Sequence, residues 1–253
     1  MQERLRVNRS DTDGETGFVL IGVVWLLLLG TAIVALLMLR GHEQARSALA
    51  EGSALQNRLN LDAATESATA DILIRGGASD WVHLPANGSV QVGGSTVDVT
   101  VTSEDGRLDL NDGDLTVIDS ALQGLGYATS ARTSFVGALK ARRAGGRITS
   151  VADMGRLLAP LQQSASRGAI CLADIFTLES GRNIPDQSRM PRALISALGV
   201  AAISAPAQMR GGESLRIVAR STTGSSLTTI ARLIGLGGHP LDVAARYAGQ
   251  SCR

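Results

Sequence analysis

The chain has 253 residues, room for one large domain or two small ones. Its 24 basic and 23 acidic side chains leave a net charge of +1, which argues against a globally basic nucleic-acid binder. Three Phe, two Trp and two Tyr are too few for a stacking surface, and three His with two distant Cys do not make a structural zinc site.

In chain order, a polar stretch (residues 1–17) meets an uncharged run, Phe18 to Leu39, abruptly at Gly17-Phe18. As a helix rising about 1.5 Å per residue, that run spans a hydrocarbon core of about 30 Å. It predicts a single membrane span. A cleavable secretory signal would be shorter and end in a small-x-small site, which Arg40-Gly41-His42-Glu43 does not supply. Glycine followed by phenylalanine at the edge of such a helix resembles the type IV prepilin cleavage site. That resemblance implies cutting between Gly17 and Phe18 by a membrane aspartyl peptidase, then methylation of the new N-terminus. Arg4, Arg6 and Arg9 stand against Glu3, Asp11, Asp13 and Glu15, so charge alone does not orient the span.

From Arg40 to about Arg75 the pattern predicts that the same helix continues. Ala48, Leu55, Leu59, Ala63, Ala70 and Leu73 form its apolar stripe, and Gly76-Gly77 stops it. Alternation over Ser89–Val92 and Thr96–Thr102 around Gly93-Gly94 predicts a β-hairpin with its valines buried. Leu215–Ala219 and Leu227–Leu233, around Thr222–Ser225, predict a second. The two are expected to form one antiparallel sheet covering the long helix, which makes 104–212 an insertion between strands. That insertion reads as helices at Leu115–Leu125, Thr133–Arg143, Val151–Leu161 and Pro191–Leu198, with Asp114 and Ser150 as N-caps. Gly106–Asn111 with the helix after it is echoed by Gly181–Pro185 with its own helix, as in a duplicated module.

This order of parts resembles the type II secretion system minor pseudopilin K family (general secretion pathway protein K) over nearly the whole chain. The resemblance is carried by Glu104-Asp105-Gly106-Arg107-Leu108-Asp109-Leu110-Asn111, by the helix start Ile148–Met154, and by the segment Ser180–Leu198. Gly22 stands at the fifth mature position, where most pilin-like proteins carry glutamate and this family does not. Two features depart from the family. Residues 144–180 are rich in Gly, Ser and Ala, and the insertion lacks an aspartate-tryptophan pair.

The resemblance implies an α+β fold. A pilin-like N-terminal helix, transmembrane and then amphipathic, lies on a small antiparallel sheet with an all-α domain inserted between strands. The implied divisions are a leader (1–17), a span (18–39), helix and first strands (40–103), the helical insertion (104–212) and the last strands (213–253). It also implies a single-pass protein of the bacterial inner membrane with its C-terminal domain in the periplasm. The implied partners are other minor pseudopilins, the inner-membrane secretion platform, the prepilin peptidase and secreted proteins, with no nucleic acid. The implied role is at the tip of the pseudopilus, starting the filament and assisting export.

Catalysis is not expected, because His42, His83 and His239 form no Ser-His-Asp or Cys-His order. Glu104, Asp105, Asp109, Asn111, Asp112 and Asp114 are the densest oxygen cluster. A solvated turn with Asp114 capping a helix accounts for them. Calcium, which wants six to eight oxygens, also accounts for them, although Ser120 occupies the place where an EF-hand needs Glu. The family resemblance implies calcium here, with Asp105, Asp109, Asn111, Asp112 and Asp114 as candidate ligands. Cys171 and Cys252 either stay unpaired or form a disulfide, which would stabilise by about 4 kcal/mol. Leu122-Gln123-Gly124-Leu125-Gly126 resembles a helix-hairpin-helix turn, whose amides grip a DNA phosphate. With Arg132, Arg142, Arg143 and Arg147 nearby, it gives the alternative of an anchored DNA receptor. A minor pilin of a type IV pilus is a third reading.

Overall fold

Between Asp13 and Arg75 no proline interrupts a sequence dominated by good helix formers, and the chain forms one helix, α1 (Asp13–Arg75, 63 residues). In this computed structural model the described residues are 13–164, 171–203, 207–234 and 241–248; for 13–19, 164 and 241 only the backbone is described. The chain divides into two compact units, Met1–Gln56 and Asn57–Arg253.

In the first unit the side chains from Leu20 to Leu39 are all exposed, with Leu26 at 76% and Met38 at 72%. Apolar surface on every side of a helix belongs in an apolar solvent. This is the one helix among the described residues long and apolar enough to cross a membrane.

The second unit begins within α1. There the buried stripe is Leu61, Ala64, Ala68 and Ile72, spaced by three and four residues. This corrects the sequence expectation, since Leu55, Leu59 and Leu73 are exposed. An alanine-rich helix offers several stripes at helical spacing, and the sheet selects one of them. Gly76, at φ +50°, ends the helix and opens a 3-10 turn (Gly76–Ala78).

After that turn come β1 (His83–Leu84), β2 (Ala86–Val92) and β3 (Ser95–Ser103). Gly93 and Gly94 join the last two with φ of +54° and +81°, the left-handed pair that a tight hairpin requires. Then follow β4 (Leu108–Asp109), α2 (Leu115–Gly124), α3 (Thr129–Ala144), α4 (Val151–Ser164), α5 (Leu172–Ile175), β5 (Phe176–Thr177), α6 (Arg192–Leu198) and β6 (Ala207–Gln208). The chain closes with β7 (Ser214–Ser221), β8 (Ser226–Leu233) and β9 (Leu241–Ala248).

Both expected hairpins are present, and they lie in one antiparallel sheet of order β2-β3-β7-β8-β9. Val97, Val99 and Val101 join Leu215, Ile217 and Ala219 in a core against α1. β9 is an edge strand that the sequence pattern did not reveal.

The segment between β3 and β7 has its own apolar cluster, centred on Leu110, Ile118, Leu122, Leu139, Leu158, Phe176 and Leu194. It is not wholly helical. β4 pairs in parallel with β5, β1 pairs with β6, and the segment belongs to the same compact unit as the sheet. The echoed loops lie side by side: the Asp114 amide donates to the Asn183 carbonyl and the Asp186 amide to the Asp105 carbonyl. Their helices meet at Gly124, where an added Cβ would stand 1.8 Å from the Ala197 carbonyl oxygen. Backbone on backbone cannot give way locally. Gly124→Ala should therefore cost about 1–3 kcal/mol, read as a lower unfolding midpoint, whereas the same change at Gly137, with nothing near, should not.

Candidate functional site

The acidic loop after β3 is an anchoring centre built from protein donors. Asp109 is 1% exposed. Its Oδ1 accepts from the amides of Asn111 (2.7 Å) and Asp112 (3.1 Å), and its Oδ2 from the Ser180 hydroxyl (2.9 Å) and the Gly181 amide (2.8 Å). Asn111 donates to the carbonyls of Ile148 and Leu178 and accepts from the Ile148 amide. Asp105 faces Arg182 at 2.5 Å, and Asp112 faces Arg147 at 3.0 Å. Asp114 caps α2, and the Thr116 hydroxyl, followed by its amide, holds its carboxyl below the usual range. The five residues are near one another in sequence, but each serves a different partner. Among the described residues, no group of three or more His, Cys, Asp or Glu side chains is arranged to hold a metal ion.

A second centre escaped sequence reasoning. Glu104 is fully buried between Arg107 (3.2 Å) and Arg216 (2.5 Å). Burial alone would raise its carboxyl, but Arg216, Arg107 and a hydrogen bond from Thr177 outweigh burial and hold it below the ordinary range. Arg216 also donates to the Ala173 carbonyl, and Arg107 to the Thr102 hydroxyl and to the carbonyls of Ala173 and Asp174 within α5. One carboxylate thus ties β7 of the sheet to the segment that carries α5. No local signal in the sequence marks it, since Glu104 and Arg216 are 112 residues apart.

Beside this network lies a cleft of about 530 Å³ on the sheet face opposite α1. Thr100, Thr102, Thr228, Cys171, Asp174 and Tyr247 are in its wall. Burial pushes the Tyr247 phenol up, and the nearby charges of Arg216, Glu104 and Arg107 act on it too.

The helix-hairpin-helix-like turn uses its amides from Leu125 to Tyr127 internally. The amides of Leu125, Gly126 and Tyr127 donate to the carbonyls of Ala121, Gln123 and Leu122. The four arginines are engaged as well. Arg132 pairs with Asp119 and Arg147 with Asp112, while Arg143 holds the carbonyls of Leu110 and Asp109 and Arg142 that of Gly146. His42 and His83 are exposed, and His239 lies outside the described residues.

At Gly17-Phe18 only the backbone is described, and it is helical. Cys171, the residue before α5, is disulfide-bonded, while Cys252 lies outside the described residues. Compared with known proteins, the chain matches no family model, no curated protein and no solved structure.

Proposed function

We propose that the chain is a minor pseudopilin of the K type, at the tip of a type II secretion pseudopilus. In this reading it is anchored in the bacterial inner membrane with its larger unit in the periplasm. The observation that carries the reading is the order of parts in one chain. An exposed apolar helix runs on into the helix that covers an antiparallel sheet, and a mainly helical segment stands between β3 and β7. Gly22 adds support, because it brings no carboxylate to answer a neighbouring subunit's N-terminal amine in an apolar filament core, where an unpaired charge is costly. A tip subunit has no neighbour above it, which makes both the bulky insertion and the missing carboxylate tolerable. The partners are other minor pseudopilins and the secretion platform, and the assembly moves folded proteins toward the outer membrane.

Processing supplies the first test. N-terminal sequencing of the membrane-extracted protein should begin at Phe18, with a methylated amine. A start at Met1, or beyond Leu39, overturns the reading. The backbone at Gly17-Phe18 is helical and must unwind to enter a peptidase cleft. Glycine in a helix is less favourable than alanine by about 1 kcal/mol, so Gly17→Ala should slow processing about fivefold from this cause alone. Co-purification of the full chain with other minor pseudopilins, and labelled protein at filament ends, supplies the second test. Labelling along the whole filament overturns the tip position.

A further inference from the structure

The main sheet ends in two edges, and they are defended differently. β9 carries Asp242, Arg246 and a register shift against β8, features that discourage a further strand from pairing. β2 has none of them. Its seven residues hold no charge and no proline, and its register with β3 is unbroken. Asn87, Gly88, Ser89 and Gln91 are exposed along it.

The turn decides which backbone groups of β2 face outward. Val92 and Ser95 close the two-residue connection Gly93-Gly94, which makes them the first hydrogen-bonded pair of the ladder. Bonded and non-bonded pairs then alternate, so Val90, Gly88 and Ala86 bond to β3 in turn. Asn87, Ser89 and Gln91 each turn an N–H and a C=O away from β3. Among the described residues no other strand pairs with β2 and no other backbone group bonds to it.

Two cavities take wall residues from this edge. The cleft beside the Glu104 network includes Asn87 and Gly88, and a second cavity of about 530 Å³ includes Leu84 and Pro85, which lead into β2. Thr102 and Arg107 stand in both walls, so the cavities adjoin. Met190, Pro191, Ile195 and Ile203 give the second an apolar wall. A strand added to a sheet edge is held by main-chain bonds and selected by the alternate side chains that enter such cavities.

The occupant that fits is a strand that stays. A bare, uncharged edge pairs with any exposed strand it meets, which a fixed neighbour prevents and a passing secreted protein does not. A second copy fits less well. Two-fold pairing of β2 with its own copy reverses α1 between the copies, against a shared membrane anchor at the start of that helix.

We propose that β2 is the docking edge for an extended strand of a neighbouring minor pseudopilin. That strand pairs with the outward N–H and C=O groups of Asn87, Ser89 and Gln91 and sends alternate side chains toward the two cavities. The inference rests on the pseudopilin reading and names the surface through which the chain meets its neighbour.

The test follows amide hydrogen exchange, residue by residue, in the full chain in detergent, alone and in complex with the other minor pseudopilins. In the monomer, the Asn87, Ser89 and Gln91 amides should exchange faster than those of Gly88 and Val90. In the complex they should slow by about tenfold or more. Ser89→Pro removes an outward donor without touching the bonds to β3, and should weaken the complex about tenfold or more. Ser89→Ala keeps the main chain and should change affinity by less than about twofold. A complex in which these amides exchange as in the free chain, or which tolerates Ser89→Pro, overturns the docking edge and leaves the pseudopilin reading standing. Protection already present in the monomer, or appearing as the chain alone is concentrated, overturns the neighbouring subunit as occupant. Failure to bind any minor pseudopilin overturns both readings. Should Ser89→Pro fail to fold, the exchange comparison in the wild type decides.

Discussion

Replacing Glu104 with glutamine should lower the unfolding free energy of the full chain by about 3–5 kcal/mol, the range for removing one partner of a buried ion pair. The Arg107 and Arg216 side chains are 6% and 5% exposed and would face each other with no carboxylate between them. Neither can shed its proton at accessible pH or reach water without moving the backbone that carries it. Asp112→Asn serves as the control. Its pair with Arg147 has side chains 37% and 61% exposed and should contribute about 0–1 kcal/mol. The pH dependence follows from the direction of the shift. A carboxyl held lower in the folded than in the unfolded chain contributes fully above its unfolded value, and that contribution fades as pH falls through the folded value. Wild-type stability should therefore drop on acidification below about 4.5, while Glu104→Gln should show a flatter acid limb. Denaturant midpoints measured across that range decide it. Equal losses at Glu104 and Asp112 would remove the claim that the buried network ties sheet to insertion.

The parts legible from sequence were those whose cause is local. Gly93-Gly94 between alternating valines determines a hairpin within a dozen residues, and both turn glycines take the positive φ that this requires. Asp114 and Ser150 cap α2 and α4, because a side-chain acceptor and the amides it serves are neighbours in the chain. What escaped is what depends on distant partners. β9 has alanines where a strand pattern needs branched residues, and it is ordered by β8 and by Arg246. β4 and β5 are two-residue pieces that pair only because the loops around Asp109 and Ser180 meet. The apolar residues of α1 mark more than one face, since alanine suits either, and the sheet decides which is buried. Oxygen density around Asp109 is visible in the sequence, but two of its four donors, Ser180 and Gly181, come from far along the chain.

Asp109→Asn should show the weight of that centre. Either carboxylate oxygen that becomes an amide nitrogen must then face two donors, the Asn111 and Asp112 amides or the Ser180 hydroxyl and Gly181 amide. At 1% exposure no water is at hand to separate them. Two buried donors left without acceptors should cost about 2–4 kcal/mol. The loss should appear as faster hydrogen exchange in both echoed loops together, because one carboxylate holds both. The same geometry bears on calcium. A cation at Asp109 would have to displace four protein donors, and Asp105 and Asp112 are already neutralised by Arg182 and Arg147. Wild-type unfolding should therefore be the same in excess calcium and in chelator. A ligand that binds only the folded state raises its stability by RT ln(1 + [L]/Kd), about 2.7 kcal/mol at one hundred times Kd, so a site of ordinary affinity would be plain. A calcium-dependent rise that Asp109→Asn abolishes would show that the cation rebuilds the loop, and the donor-filled arrangement would then be only its metal-free form.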